Sequence, residues 1–128
     1  ARGVTQPSFR AMRLSRKHSM THRSQFHGVR TNGRSKAGRF LILSTLEDEA
    51  LPHLMVGFIT TRKVGKAHER NLLRRRFRAI VQRHGDCLVN PQRYLVTIPR
   101  RGSAEASFAE LEKDWLKLAR RLGLIDSE

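Results

Sequence analysis

One cysteine, Cys87, stands alone in 128 residues. No disulfide can form within the chain, which implies a reducing compartment and a cytoplasmic setting. No apolar run approaches the roughly 18 residues that span a bilayer. The longest, Phe40 to Leu43, is the size of a strand fragment. The start of the sequence lacks an apolar region of roughly 7–15 residues, so it does not read as a secretory signal. Acids are scarce as well. Eleven Asp and Glu stand against 26 Lys and Arg, a formal net charge of +15. That excess is unusual for an enzyme of small molecules and is best neutralised by a polyphosphate. RNA or DNA is therefore the first expected partner, and an anionic membrane surface the second.

The few acids do not make a catalytic centre. Glu47, Asp48 and Glu49 are adjacent in sequence, and a solvated loop between two strands explains them better than acid/base chemistry. A protein-only nuclease would need clustered carboxylates for its metals, and here they are dispersed. Of six histidines only His18 and His22 have i, i+4 spacing, without Cys or acid beside them, so no metal site is expected. No Ser/His/Asp or Cys/His order marks a nucleophile.

What is present is a single-domain length with 38% hydrophobic residues, enough for one core. Residues 1–46 hold ten Lys or Arg and no acid, residues 62–84 hold nine against Glu69, and the last 30 are close to balanced. Residues 1–16 read as a flexible basic arm, although an Arg-rich, acid-free start also mimics a transit peptide. Residues 17–123 form the domain and 124–128 a short tail. Within the domain, 17–31 is compatible with a helix and Asn32-Gly33 marks a turn. Phe40 to Leu46 and Leu54 to Thr61 read as strands, and Tyr94 to Ile98 as a third stopped by Pro99. Ala67 to about His84 and Ser103 to Leu122 read as helices. Trp115 belongs to the apolar stripe of the last helix, Phe108-Leu111-Trp115-Leu118-Ala119-Leu122, and reads as packing rather than a stacking platform.

The central helix holds the main signal. At about 100° per residue, Leu73, Phe77, Ile80, Val81 and His84 share an arc that faces the sheet. Arg70, Asn71, Arg74, Arg75 and Arg78 share a neighbouring face. Like charges at i, i+4 oppose helix stability by a few tenths of a kcal/mol each. The row makes sense if phosphates neutralise it, and the planar arginine fork suits phosphate oxygens. Lys63, Gly65 and Lys66 precede the helix, placing further cations at its positive N-terminal end.

The stretch GFITTRKVGKAHERNLLRRRFR, residues 57–78, resembles the signature of the bacterial ribonuclease P protein subunit. Lys63, Gly65 and Ala67 match its turn, and Arg70, Asn71, Arg74, Arg75 and Arg78 match its Arg-Asn-x-x-basic-Arg-x-x-Arg helix. Met20 and Phe26 sit like positions of the family's first helix, Gly33 like the turn after it, and Tyr94 to Arg101 like its last strand. Leu72, Arg30 and Ser44 depart from the family pattern, the last two standing where some members carry aromatics.

The resemblance implies an α+β single domain with a central, mainly antiparallel sheet of three to four strands in the order α-β-β-α-β-α and a left-handed βαβ crossover. It implies a protein subunit that assists tRNA 5′ maturation, with catalysis and Mg²⁺ held mainly by the RNA subunit. Its partners would be ribonuclease P RNA and precursor tRNA, with no membrane and no obligate protein partner. Lys63, Lys66, Arg70, Asn71, Arg74, Arg75 and Arg78 would contact the catalytic RNA. Phe26, Arg30 and Arg39 would hold the single-stranded 5′ leader, with no catalytic residue in the protein. The alternative is a ribosomal or other general RNA-binding protein.

Overall fold

A computed structural model describes residues 14–125. The chain runs through α1 (Arg23–Asn32), β1 (Arg34–Ala37), β2 (Leu41–Glu47), β3 (Met55–Phe58), α2 (Ala67–His84), β4 (Arg93–Pro99) and α3 (Phe108–Arg121). The strands form one mixed sheet in the order β1-β2-β4-β3. The β1–β2 and β2–β4 pairs are antiparallel, while β3 runs parallel to β4 across the α2 connection.

Period-two alternation assigns the two faces of this sheet. Leu41 and Leu43 of β2, Val56 of β3 and Leu95 of β4 point into the larger core, which α2 and α3 close with Leu73, Phe77, Ile80, Leu111, Trp115 and Leu118. On the opposite face Val96 meets Val29 and Met20, with Phe26, Met55, Tyr94 and Ile98 packed around them. That smaller cluster is roofed by α1. The crossover helix thus lies beneath the sheet, and its basic side stays in solvent.

Local signals account for the helix limits. Gly65, with φ +156°, turns the chain into α2, and a Cβ there would lie 2.4 Å from Glu69 Oε1. Glu69 in turn accepts the Lys66 amide at 2.8 Å. At the start of α3, Ser107 Oγ accepts the Glu110 amide at 3.1 Å and Glu110 Oε1 accepts the Ser107 amide at 2.9 Å, a reciprocal capping box. Its end is a Schellman turn: the Leu124 amide donates to Ala119 O and the Gly123 amide to Arg120 O, with Gly123 at φ +75°.

The structure corrects several sequence expectations. The first helix is shorter than residues 17–31. Arg16–His18 form a 3-10 turn, and Met20 precedes α1 in extended chain. Backbone pairing explains the delay, because Ser19 bridges to Val56 and the Met20 amide donates to Val56 O. A strand absent from the expected order, β1, pairs with β2 although all four of its residues are exposed. An edge strand held by backbone bonds needs no apolar side chain, and its charges guard the open edge. The second strand begins at Leu41 and ends at Glu47, β3 is confined to Met55–Phe58, and β4 extends to Arg93 and Pro99. The last helix does not begin at Ser103: a 3-10 turn at Ser103–Glu105 precedes the Ser107 cap. Leu14, assigned to the basic arm, is buried in the main core, and Leu124 and Ile125, assigned to the tail, are buried with it. Residues 1–13 of that arm and residues 126–128 of the tail lie outside the described residues.

Glu47 is not merely solvated. It accepts from Arg93 Nη2 at 3.0 Å, and that guanidinium is buried, also donating to Asn90 O and Thr45 Oγ1. Burial pushes the Arg93 guanidinium down from its ordinary value, and Glu47 pushes it back up. His84 faces α3 rather than the sheet, stacking on Trp115 and meeting Glu112 Oε2 at 2.7 Å. Burial alone would raise the Glu112 carboxyl, but hydrogen bonds from His84 and Arg83 hold it below its ordinary value of 4.5. A carboxyl lowered by folding contributes stability that is full above its unfolded pKa and is lost as pH falls through the folded value. Acid titration below pH 4.5 should therefore weaken the wild type more steeply than Glu112→Gln, read as urea midpoints at each pH. Parallel curves would remove Glu112 from the acid response.

Candidate nucleic-acid interface

The arginine row of α2 stands along the β3 edge of the sheet. Arg74 and Arg75 are exposed and Arg70 and Arg78 half-buried. Arg74 is oriented rather than free: Nη1 donates to Thr60 Oγ1 at 2.6 Å and Nη2 donates to Asn71 Oδ1. Asn71 thereby positions a neighbouring fork, a role that its spacing in the sequence did not reveal. Arg70 turns back, donating to Gly65 O at 2.9 Å, and so braces the turn before the helix. His68, Asn71, Arg74 and Arg75 line a shallow hollow. Lys63 and Lys66 are exposed at the N-terminal end of the same helix. Arg76, the remaining arginine of the run, is structural, donating to Ala106 O at 2.8 Å.

A second hollow joins this row to the other face of the sheet. Arg74 and Arg78 border it together with His18, Met20, Phe26 and Gly57. His18 is buried, and its Nδ1 accepts the Ser15 amide at 3.1 Å. Burial, then the neighbouring His53, lower its pKa from 6.5, which keeps that acceptor unprotonated. Gly57 has no room for a side chain: a Cβ would lie 2.5 Å from Phe26 Cε1 and 3.0 Å from Met20 Sδ. The glycine lets the Phe26 ring settle against β3, between the two hollows.

Beyond Phe26 a cleft of about 380 Å³ opens between α1 and the sheet, with Ile42, Ser44, Val96 and Ile98 as floor and Arg23, His27 and Arg30 as rim. Phe26 and Arg30 line this cleft together, and Ser44 lies on its floor. Arg23 and His27 were missed. Their spacing to Phe26 and Arg30, i, i+3, i+4 and i+7, is one helix face and could have found them. The floor was equally legible, since Ile42 and Ser44 alternate with core-facing Leu41 and Leu43. Arg39 is a correction. It is not among the cleft-lining residues. It sits in the β1–β2 turn with its amide on Asp114 Oδ1 and its guanidinium 5.0 Å over the Phe40 ring. Asp114 of α3 captures that turn through the Arg39 and Phe40 amides, which draws it toward the α3 side.

Comparison with known proteins decides the family. The model of the family described as Ribonuclease P matches residues 14–123, nearly the whole described chain. The chain belongs to the ribonuclease P protein family. A ribonuclease P protein component from Syntrophomonas wolfei is 33% identical over 111 residues, which cover 87% of this chain and 92% of that one. The ribonuclease P protein of Staphylococcus aureus superposes with a TM-score of 0.78 at 16% identity, covering 85% of this chain and 98% of that one, which speaks to the fold. That of Thermotoga maritima gives 0.69 at 25% identity, covering 81% and 96%. As a ribonuclease P protein, the chain takes part in tRNA processing by an endoribonuclease complex, and RNA-subunit binding and tRNA 5′ maturation are its family's role.

Proposed function

We propose that the two surfaces divide the labour of this family between two RNAs. The observation that carries the proposal is their adjacency: an oriented arginine row and an apolar-floored cleft with a basic rim, joined through Phe26. Lys63, Lys66, Arg70, Asn71, Arg74, Arg75 and Arg78 engage phosphates of the ribonuclease P RNA, Asn71 and Arg70 by positioning. Phe26 and Arg30, with Arg23 and His27, hold the single-stranded 5′ leader of precursor tRNA. A base stacks on an aromatic ring or a guanidinium plane, and the rim pairs with the backbone. The cleft floor offers few aromatics, so leader binding leans on charge.

The protein then works by neutralisation and placement, and bond cleavage belongs to the RNA. Mg²⁺ enters as an ion of that RNA. Among the described residues no three His, Cys, Asp or Glu side chains come together to hold one. No described helix is long and apolar enough to cross a membrane. The deciding experiment is cleavage of precursor tRNA by a bacterial ribonuclease P RNA at low Mg²⁺, with and without this protein. Stimulation that fades steeply with added salt is expected, and no stimulation would overturn the proposal.

A narrower outcome tests the cleft. Phe26→Ala should weaken binding of leader-bearing precursor by roughly 1–3 kcal/mol, the worth of one base–aromatic stack, and leave mature tRNA binding unchanged. Gly57→Ala, which displaces the ring without removing it, should act in the same direction. Equal losses for precursor and mature tRNA in both variants would take the leader out of this cleft.

A further inference from the structure

The near-neutral C-terminal third distributes its charges unevenly around α3. In α3 the acids Glu112 and Asp114 are drawn into the fold, while Glu110 stays exposed at the helix start. Asp114 is buried and accepts the Arg39 and Phe40 amides. Glu112 is engaged by Arg83 and His84 of α2. Glu110 caps the helix through the Ser107 amide. The cations of the same helix, Lys113, Lys117, Arg120 and Arg121, are exposed and have no such partners among the described residues. At about 100° per residue they fall within roughly 100° of arc, between the directions of Glu112 and Asp114. Lys36 of β1 joins them. It is exposed and opposite Leu43, whose side chain faces the α3 core, so it emerges on the α3 side of the sheet edge.

We infer that this α3–β1 strip is a second phosphate-binding surface, whose partner is the sugar–phosphate backbone of a structured RNA. Three considerations favour that partner. Lysines and arginines at i, i+4 repel, and Glu110, the one exposed carboxylate of α3 within this arc, faces four cations. Attraction to the helix C-terminus accounts for Arg120 and Arg121 in the last turn. It does not account for Lys113 and Lys117 in the middle, nor for Lys36 on a neighbouring strand. Finally, β1 and β3 are opposite edges of the four-stranded sheet, and the α2 row borders β3. A backbone seated on the α2 row would have to cross the molecule to reach the strip. The strip therefore takes a separate segment, and the protein is gripped from two sides. This goes beyond the two surfaces proposed above and rests on that reading only for the identity of the RNA.

The test is a variant with Lys113→Gln, Lys117→Gln, Arg120→Gln and Arg121→Gln, compared with wild type and with Arg74→Ala/Arg75→Ala. Affinity for ribonuclease P RNA is measured across salt concentrations, with thermal unfolding confirming the fold. The glutamine variant should bind at least tenfold more weakly near 0.1 M salt. The slope of log affinity against log salt should be shallower by about 0.9 for each duplex phosphate that the variant no longer neutralises. Unchanged affinity and slope, with the arginine variant still impaired, would overturn the strip and leave the α2 interface standing. If neither variant differs from wild type, the RNA reading itself fails. Binding of the wild type, but not the glutamine variant, to phosphatidylserine vesicles, with RNA affinity untouched, would overturn the RNA assignment in favour of a membrane surface.

Discussion

Arg74→Ala with Arg75→Ala is expected to weaken binding to ribonuclease P RNA by about 100-fold and to leave the fold slightly more stable. Both side chains are exposed, so neither supports the core. A hydrogen bond to a charged group contributes about 1.5–3 kcal/mol, and removing two such bonds at the weak end expected of exposed side chains gives about two decades of affinity. The salt slope should fall by about two, one for each phosphate left without its arginine. Removing like charges from a helix face relieves a few tenths of a kcal/mol of repulsion, so the unfolding midpoint should not drop. The opposite signs separate an interface from a structural face: a loss of stability together with a small loss of affinity would mean the row braces the fold. Arg74→Lys sharpens the comparison. Lysine keeps the charge but cannot donate to Thr60 and Asn71 with one planar fork, so its affinity should fall between wild type and alanine.

Trp115→Ala is expected to have the largest effect on stability, a loss of about 3–5 kcal/mol. Trp115 is fully buried at the centre of the α2–α3 core and stacks on His84 at 6.1 Å between ring centroids. Against a total stability of about 5–15 kcal/mol, such a loss brings the chain close to unfolding at ordinary temperature. Its Nε1 is buried without a hydrogen-bond partner among the described residues. Trp115→Phe keeps most of the packing and removes that orphaned donor, whose burial costs about 1–3 kcal/mol. It should therefore be far milder than alanine. Urea unfolding with an unchanged m-value measures both. RNA affinity of the folded protein should be the same in wild type and Trp115→Phe. A large loss of affinity with full stability would make this tryptophan a base-stacking residue after all.

Much of the candidate site is written in local spacing. The α2 signal is legible because its apolar residues and its arginines each repeat with the helical period, and the helix spans the expected residues, Ala67–His84. Phe26 and Arg30 are legible for the same reason. Orientation within the row is not. Thr60 lies 14 positions before Arg74, and only folding brings its hydroxyl to that guanidinium. The cleft needs α1, β2 and β4 together, and β4 follows β2 only after β3 and the whole of α2. Arg39 shows the opposite error: its charge fitted the expected role, and the pull of Asp114 on its turn moved it elsewhere.

The sequence by itself determined the excess of positive charge, the central helix and its arginine row, the strand-and-helix content and the family resemblance. These depend on composition and on periodicities of two and 3.6, which are properties of neighbouring residues. Only the tertiary structure decided the exposed edge strand, because β1 is made by backbone pairing to β2 and carries no apolar pattern. Only it decided where the net charge is felt. In α3 two of the three carboxylates, Glu112 and Asp114, are taken up by an ion pair and a buried turn, while Lys113, Lys117, Arg120 and Arg121 stay exposed. A buried or bonded carboxylate offers little charge to a partner, and which carboxylates are spent follows from contacts between elements.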